Sequence, residues 1–218
     1  MLVVVALGDD AVLPRAEALD LEERANTGGS PPPAAVAGDH HLVVTYGFGQ
    51  QLGPPSLERA IACRLPGDGL ATVPARVVVD ADDSLRPRSI VDLRTFRILV
   101  DSGVTVLCAG DACFPVVRTP AGGLRVVDVV VDGDLAAMRL ATELDTDALL
   151  LLTGAAAGRD DPVGVTAAKV RAVRDFVAAG GWLGAVGPLP DAAAMLHGEA
   201  GLVEWGAGTA PPVAVPGG

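Results

Sequence analysis

Aromatic side chains are scarce in this sequence. They account for 3% of the 218 residues, whereas hydrophobic residues together make up 50%. The core must therefore be built from Val, Leu and Ala. Continuous β-branched runs that alternate with Ala-rich segments are typical of strands covered on both faces by helices, so the composition predicts an α/β protein.

Long hydrophobic runs are also missing, because no apolar run approaches the ~20 residues that a membrane helix needs. Met1 and Leu2 lead directly into the strand-like run VVVAL, without a basic segment before it. We therefore expect neither membrane insertion nor a secretory signal, and we expect a cytoplasmic location.

Basic residues are outnumbered, with 16 Lys and Arg against 27 Asp and Glu and a net charge of −11. Lys169 is the only lysine in the chain. Nucleic acids and anionic membrane surfaces are attracted by basic patches, so both are poor candidates for a partner. A small-molecule ligand is the better expectation, and the excess acid by itself favours solubility.

The three cysteines are Cys63, Cys108 and Cys113. The last two are separated by four residues and have no nearby histidine, which is not a zinc pattern. We expect reduced thiols, with Cys108 as a small core residue. Cys113 follows a turn, so a reactive thiol remains an alternative there.

Three apolar runs in the middle of the chain each stop abruptly, at Leu107, Val131 and Leu152. They are Val104–Leu107, Val126–Val131 and Ala148–Leu152, and the turns that follow are Ala109-Gly110-Asp111, Asp132-Gly133-Asp134 and Thr153-Gly154. In an open parallel sheet, ligands bind outside the carboxyl ends of the strands. Functional groups are therefore expected in these turns.

The remaining predicted elements continue the alternation of strands and helices. Strands are expected at 2–7, 41–45, 73–80 and 183–186, helices at 15–24, 56–64, 89–102, 170–177 and 192–196, and a loop at 26–39. We predict an α/β fold, a three-layer αβα sandwich with a mostly parallel central sheet. It forms a single domain over 1–205, with a flexible tail over 206–218.

Six short motifs occur along the chain in a fixed order. They are Gly8-Asp9-Asp10, the segment 46–53 (YGFGQQLG), the segment 109–116 (AGDACFPV), the segment 132–136 (DGDLA), the segment 152–155 (LTGA) and the segment 166–170 (TAAKV). In order and spacing they resemble the motifs of the amino-acid kinase superfamily, most closely its carbamate kinase branch. No single motif is specific, but all six in order cover the chain from residue 3 to about residue 200.

The resemblance implies a carbamate kinase-like fold, a homodimer and an ATP-dependent phosphotransferase, with Mg²⁺ as the accompanying cation. It implies that Lys169 contacts the nucleotide phosphates and that Asp134 organises the catalytic cleft. The implied catalytic residues are Asp134, Lys169 and Asp10, and the implied cofactor-binding residues are Gly8, Asp9, Gly47, Gly49, Gly110, Asp111, Thr153 and Lys169.

The chain departs from the family pattern at positions that matter for catalysis. Gly133 stands where the family has a lysine, and Asp9 and Asp10 place carboxylates in the turn implied to hold an anionic acceptor. Like charges at ~4 Å repel by ~4 kcal/mol at an effective dielectric of ~20, before screening. Loss of one donor to a developing charge costs ~10²–10³ in rate. These departures predict weak or lost kinase activity.

Several alternatives remain open from the sequence. Lys169 is also compatible with a solvated helix residue, and Asp134 with an acidic residue favoured at a helix start. Asp9, Asp10 and Asp111 suit Mg²⁺, but they equally suit solvated turns. Besides a degenerate kinase, the chain is compatible with a non-catalytic ligand-binding or regulatory subunit, or with another reaction that uses Asp9 or Asp10 as general base.

Overall fold

The computed structural model describes residues 1–8, 36, 40–46, 69–80, 86–109, 114–153 and 167–207. Two sheets and the helices packed on them make up these ranges. The strands are β1 (Leu2–Leu7), β2 (His41–Tyr46), β3 (Leu70–Val73), β4 (Arg76–Val79), β5 (Pro87–Ile90), β6 (Thr105–Ala109), β7 (Phe114–Arg118), β8 (Leu124–Val126), β9 (Ala148–Thr153), β10 (Leu183–Pro188) and β11 (Leu202–Trp205). The α-helices are α1 (Leu93–Asp101), α2 (Gly133–Glu143), α3 (Ala167–Ala178) and α4 (Ala192–Leu196).

The larger sheet has seven strands in the order β11-β10-β9-β1-β2-β6-β3. All neighbouring pairs are parallel except β10 with β11. In the central strand, Val4 faces Val43 of β2 on one side and Leu149 of β9 on the other. Continuous apolar strands are expected where both faces of a parallel sheet are covered, and β1 and β9 fit that pattern.

Helices cover both faces of this sheet. Val4 and Ala6 of β1 join the core formed with α1, α2 and α3, whereas Val3 and Val5 join the core beneath α4, where Met195 is fully buried. The predicted three-layer αβα arrangement with a mostly parallel sheet is thereby confirmed. Within the described ranges, no helix is long and apolar enough to cross a bilayer.

A smaller sheet with the order β5-β4-β7-β8 was not predicted. The sequence suggested one strand over 73–80, but the chain forms two strands there, and they belong to different sheets. Pro74 lies at the break and has no N–H for a ladder, so the strand cannot continue through it. β4 then pairs parallel with β7, and β7 forms a hairpin with β8.

Three further sequence predictions need correction. The helix expected over 89–102 begins only at Leu93, because Ser89 and Ile90 pair with β4. The strand expected over Val126–Val131 ends at Val126, and Val130 is 78% exposed. Val36 is helical and buried although a loop was predicted for 26–39. Long apolar runs alone do not distinguish a sheet strand from an extended segment that buries every second residue.

Candidate functional site

The carboxyl ends of the parallel strands β1, β2, β6, β9 and β10 lie along one edge of the larger sheet. β2 and β9 flank β1 on opposite sides, so the chain leaves β1 in one direction and later returns to add strands on the other side. Such a reversal opens a crevice at the carboxyl edge, where ligands of open α/β sheets bind. Leu7, the last residue of β1, pairs with Leu152 of β9 at this point.

The amino ends of α2 and α3 lie at the same edge. Each helix precedes a parallel strand, β9 or β10, and so runs back along the sheet with its carboxyl end at the opposite edge. Two hydrogen bonds mark that opposite edge: the Trp182 N–H donates to the Asp147 carbonyl at 3.0 Å, and the Thr146 N–H donates to the Ala141 carbonyl at 3.1 Å. The positive ends of both helix dipoles therefore point toward the crevice.

α2 begins at a capped turn. Asp132 precedes the helix in an extended conformation, and its Oδ1 accepts a hydrogen bond from the Leu135 N–H at 3.0 Å. An Asp at this position satisfies one of the unpaired donors of the first turn. The cap fixes where the helix starts, and it places Asp134 in the first turn.

Lys169 and Asp134 form an ion pair between the first turns of α3 and α2. The Lys169 Nζ lies 2.8 Å from both carboxylate oxygens of Asp134. The lysine side chain is 11% exposed and the aspartate side chain 20%. Two residues singled out separately in the sequence are thus brought into direct contact, at the edge where the strands end.

This contact changes how both residues are interpreted. A solvated helix lysine would extend into water, but the Lys169 side chain is largely buried and holds its charge against a carboxylate. A pair so far removed from water has lost much of its hydration, and the contact between the two opposite charges offsets part of that loss. Both residues stand in the first turns of helices that precede neighbouring strands.

Thr153 ends β9 at the same edge and is fully buried. Its Oγ1 has no hydrogen-bond partner within the part of the chain that the structure describes. A buried hydroxyl without a partner costs free energy, so it is a group that an added ligand or water would satisfy. Thr153 thereby remains a candidate for ligand contact.

Gly8 follows β1, and its N–H is already engaged. It donates to the Leu152 carbonyl at 3.1 Å and so extends the ladder between β1 and β9. A ligand beside Gly8 would meet its Cα and carbonyl, not this N–H. The other predicted site residues, Asp9, Asp10, Gly47, Gly49, Gly110 and Asp111, lie outside the described residues, as does Cys113.

Within the described ranges, no group of three or more His, Cys, Asp or Glu side chains is placed to hold a metal ion. The magnesium interpretation of Asp9, Asp10 and Asp111 rests on residues outside those ranges.

One feature that sequence reasoning missed is Arg139, whose Nε is buried without a hydrogen bond among the described residues and lies 4.0 Å from Glu143.

Comparisons with known proteins agree with this fold. The chain is 27% identical to a carbamate kinase of Rhizobium meliloti, over an alignment that covers 93% of each chain. The carbamate kinase from Giardia lamblia bound to AMP-PNP superposes with a TM-score of 0.73 at 22% identity, over 94% of this chain and 98% of that one. The chain is therefore carbamate kinase-like in sequence and in fold.

A shorter match supports the same assignment. The carbamate kinase-like protein YahI of Escherichia coli is 41% identical over 71 residues, which cover 33% of this chain and 22% of that protein. No family model matches the sequence. The similarity to carbamate kinases that the six motifs indicated is therefore confirmed in sequence and in fold.

Proposed function

We propose that this carbamate kinase-like protein binds ATP at the carboxyl edge of its larger sheet and transfers the phosphoryl group weakly or not at all. The observation that carries the proposal is the Lys169–Asp134 ion pair between the amino ends of α2 and α3. It places an ammonium and two positive helix ends around one crevice. Helix amino ends together with a lysine are a common means of holding phosphates.

The described residues suit a nucleotide phosphate chain. Lys169 would hold the phosphates as a point charge, the buried Thr153 hydroxyl would donate a hydrogen bond, and Asp134 would fix the position of the lysine. ATP supplies the transferable phosphoryl group when bound. Mg²⁺ would accompany the nucleotide as the cation bound to its phosphate oxygens.

Two properties of the same residues argue for weak transfer. Gly133 begins α2 without a side chain, so it cannot supply a charge beside Asp134. The single ammonium, that of Lys169, is already paired with a carboxylate at 2.8 Å. Phosphoryl transfer depends on neutralising the oxygens of the transferring group, so a site with one partly neutralised lysine is poorly equipped for it.

Calorimetric titration with ATP and Mg²⁺ tests the binding half of the proposal. We expect the wild-type protein to bind and Lys169→Ala to bind at least about tenfold more weakly, the equivalent of ~1.4 kcal/mol. Arg171→Ala is the matched control, because Arg171 lies on the same helix with a side chain that is 65% exposed. Equal losses in the two variants, or undetectable binding by the wild type, would refute this assignment of the nucleotide site.

A second candidate function is a non-catalytic ligand-binding or regulatory subunit with the same fold. The ion pair between Lys169 and Asp134 favours it, because this contact can stabilise the site whether or not a phosphoryl group is ever transferred. Tight ATP binding combined with no ADP formation over hours would favour this second function. Slow but saturable ADP formation would favour the weak kinase.

A further inference from the structure

A second cavity lies at the opposite edge of the larger sheet, between the carboxyl ends of α2 and α3. Its volume is about 300 Å³, and it is open to solvent on one side. Phe176 and Trp182 form apolar walls, and Thr142, Asp145, Thr146 and Asp147 supply polar groups. A cavity of this volume is within the range that accommodates small organic ligands.

The cavity is electrostatically negative. The two helices end there, and the carboxyl end of a helix carries a partial negative charge of about half an elementary charge. Two carboxylates add to this field, and no Lys or Arg is found among the lining residues that the structure describes. Arg97 compensates part of this field at the rim, because its guanidinium donates to the Asp145 carboxylate at 2.8 Å and to the Glu143 carbonyl at 2.7 Å. The Asp145 side chain is 81% exposed, so the deeper part of the cavity depends on Asp147.

Asp147 is the more sheltered of the two carboxylates. Its Oδ2 accepts a hydrogen bond from the Leu2 N–H at 2.7 Å, which ties it to the start of β1. Its carbonyl accepts from the N–H groups of Trp182 and Leu183 at 3.0 and 3.1 Å. The side chain is therefore held in place at the cavity by a neutral donor, and no Lys or Arg side chain of the described residues forms a salt bridge with it.

Trp182 gives the cavity a surface that suits an organic cation. Its ring packs against Trp205 edge to face, with centroids 4.9 Å apart and the planes at 70°. An ammonium group near an aromatic face gains ~0.5–2 kcal/mol from the ring quadrupole. A fixed carboxylate, two helix carboxyl ends and aromatic walls together select a positively charged group attached to an apolar body.

We propose that this cavity is a second ligand site, which binds small organic amines in their protonated form. The ammonium lies against Asp147 and the carboxyl ends of α2 and α3, and the apolar part lies against Trp182 and Phe176. The site is at the far edge of the sheet from Lys169 and Asp134, so the inference does not depend on the proposed nucleotide site.

Fluorescence titration of the full chain with benzylammonium chloride tests the proposal, because Trp182 lines the cavity. We expect a saturable change in tryptophan emission at millimolar concentrations. Benzyl alcohol, a neutral molecule of similar shape, should bind about tenfold more weakly or not at all, since it lacks the charge that the cavity selects. Equal responses to the two molecules, or no saturable response to either, would overturn the proposal.

Three variants locate the binding. Asp147→Asn keeps an oxygen that can accept from the Leu2 N–H but removes the charge, and we expect about tenfold weaker binding of benzylammonium. Asp145→Asn tests the rim without disturbing the backbone, because Asp145 has a φ of 55° and Asn tolerates that conformation. Asp128→Asn is the control, since Asp128 is exposed on the segment after β8. If circular dichroism shows that Asp147→Asn does not fold, Asp145→Asn should still weaken the binding of benzylammonium. Unchanged affinity in every variant that folds would contradict the assignment.

Discussion

At the scale of single residues, the Lys169–Asp134 ion pair makes a specific prediction about stability. Asp134→Ala leaves an ammonium that is 11% exposed without its carboxylate. Removing one partner of a buried pair costs ~3–5 kcal/mol, and the partial exposure here reduces the expectation to ~1–3 kcal/mol in the free energy of unfolding. Urea denaturation measures it.

The matched control removes both charges together. Replacing the pair with Leu at position 134 and Met at position 169 leaves no charge behind, so this double variant should be more stable than Asp134→Ala alone. A single variant with wild-type stability would mean that the ion pair is solvated in solution.

A second residue-scale prediction concerns pH. Arg76 contacts Asp92 through its side chain and through its backbone N–H, the latter at 2.9 Å. The hydrogen bond from the Arg76 guanidinium lowers the pKa of Asp92 below its ordinary value of 3.8. Because the folded pKa is lower than the unfolded one, the carboxylate stabilises the fold above pH ~4, and this stabilisation is lost as the pH falls below that value toward the folded pKa.

The variant Asp92→Asn should therefore be less stable than the wild type at pH 7, and its stability should fall less than that of the wild type as the pH drops below ~4. The Arg76 side chain is half-exposed and solvent screens the contact, so the effect should be small. Melting temperatures of the two proteins across this pH range provide the measurement. Parallel pH profiles would show that the contact does not persist in solution.

At the scale of elements, the packing of α3 against β10 depends on Gly184. A Cβ built at this position would lie 2.9 Å from the Val173 carbonyl oxygen and 2.9 Å from the Val173 Cβ. The helix backbone cannot yield cheaply, so Gly184→Ala should destabilise the protein by ~1–3 kcal/mol. Gly123→Ala, whose Cβ would meet only the Thr119 hydroxyl at 3.4 Å, is the control and should change stability much less in the same denaturation assay.

The elements that were predicted correctly from the sequence are those in which the pattern of apolar residues matches the residues that become buried. β1, β2 and β9 are mostly apolar and are buried except at the first residues of β1 and β2. α3 ends before Gly180 and Gly181, as its periodicity indicated. The smaller sheet could not be foreseen, because its pairing of β4 with β7 joins segments that are distant in the chain. Nothing in the local sequence of either segment specifies that partner. Pro74 separates β3 from β4, but a proline alone does not show that the strands on its two sides join different sheets.

For the whole molecule, a homodimer remains a prediction that rests on the family resemblance. The described surface exposes several large apolar side chains, among them Val126 at 66%, Ile98 at 55% and Trp205 at 49%. Symmetric pairing is the commonest way to cover such surface. Light scattering of the purified protein at micromolar concentration should give twice the 22.0 kDa chain mass, and a clean monomer would contradict it.

The candidate site was foreseen in part. Strand ends and turn motifs identified Lys169, Asp134, Thr153 and Gly8, and the first two do meet at the expected edge. Their direct contact could not be predicted, since it depends on how α2 and α3 pack side by side. The use of the Gly8 N–H by Leu152 was also beyond the sequence, because it follows from the register of β1 and β9.

The central claim is that the crevice at the carboxyl edge binds ATP but lacks the charge needed for efficient transfer. The most direct measurement compares ADP formation from ATP and carbamate by the wild type and by Gly133→Lys. We predict a wild-type rate far below the ~1–100 s⁻¹ that is typical of kinases. A lysine at position 133 would add the missing donor, and one such donor is worth ~10²–10³ in rate, so the variant should be measurably faster. A wild-type rate in the kinase range, with no gain in Gly133→Lys, would contradict the account.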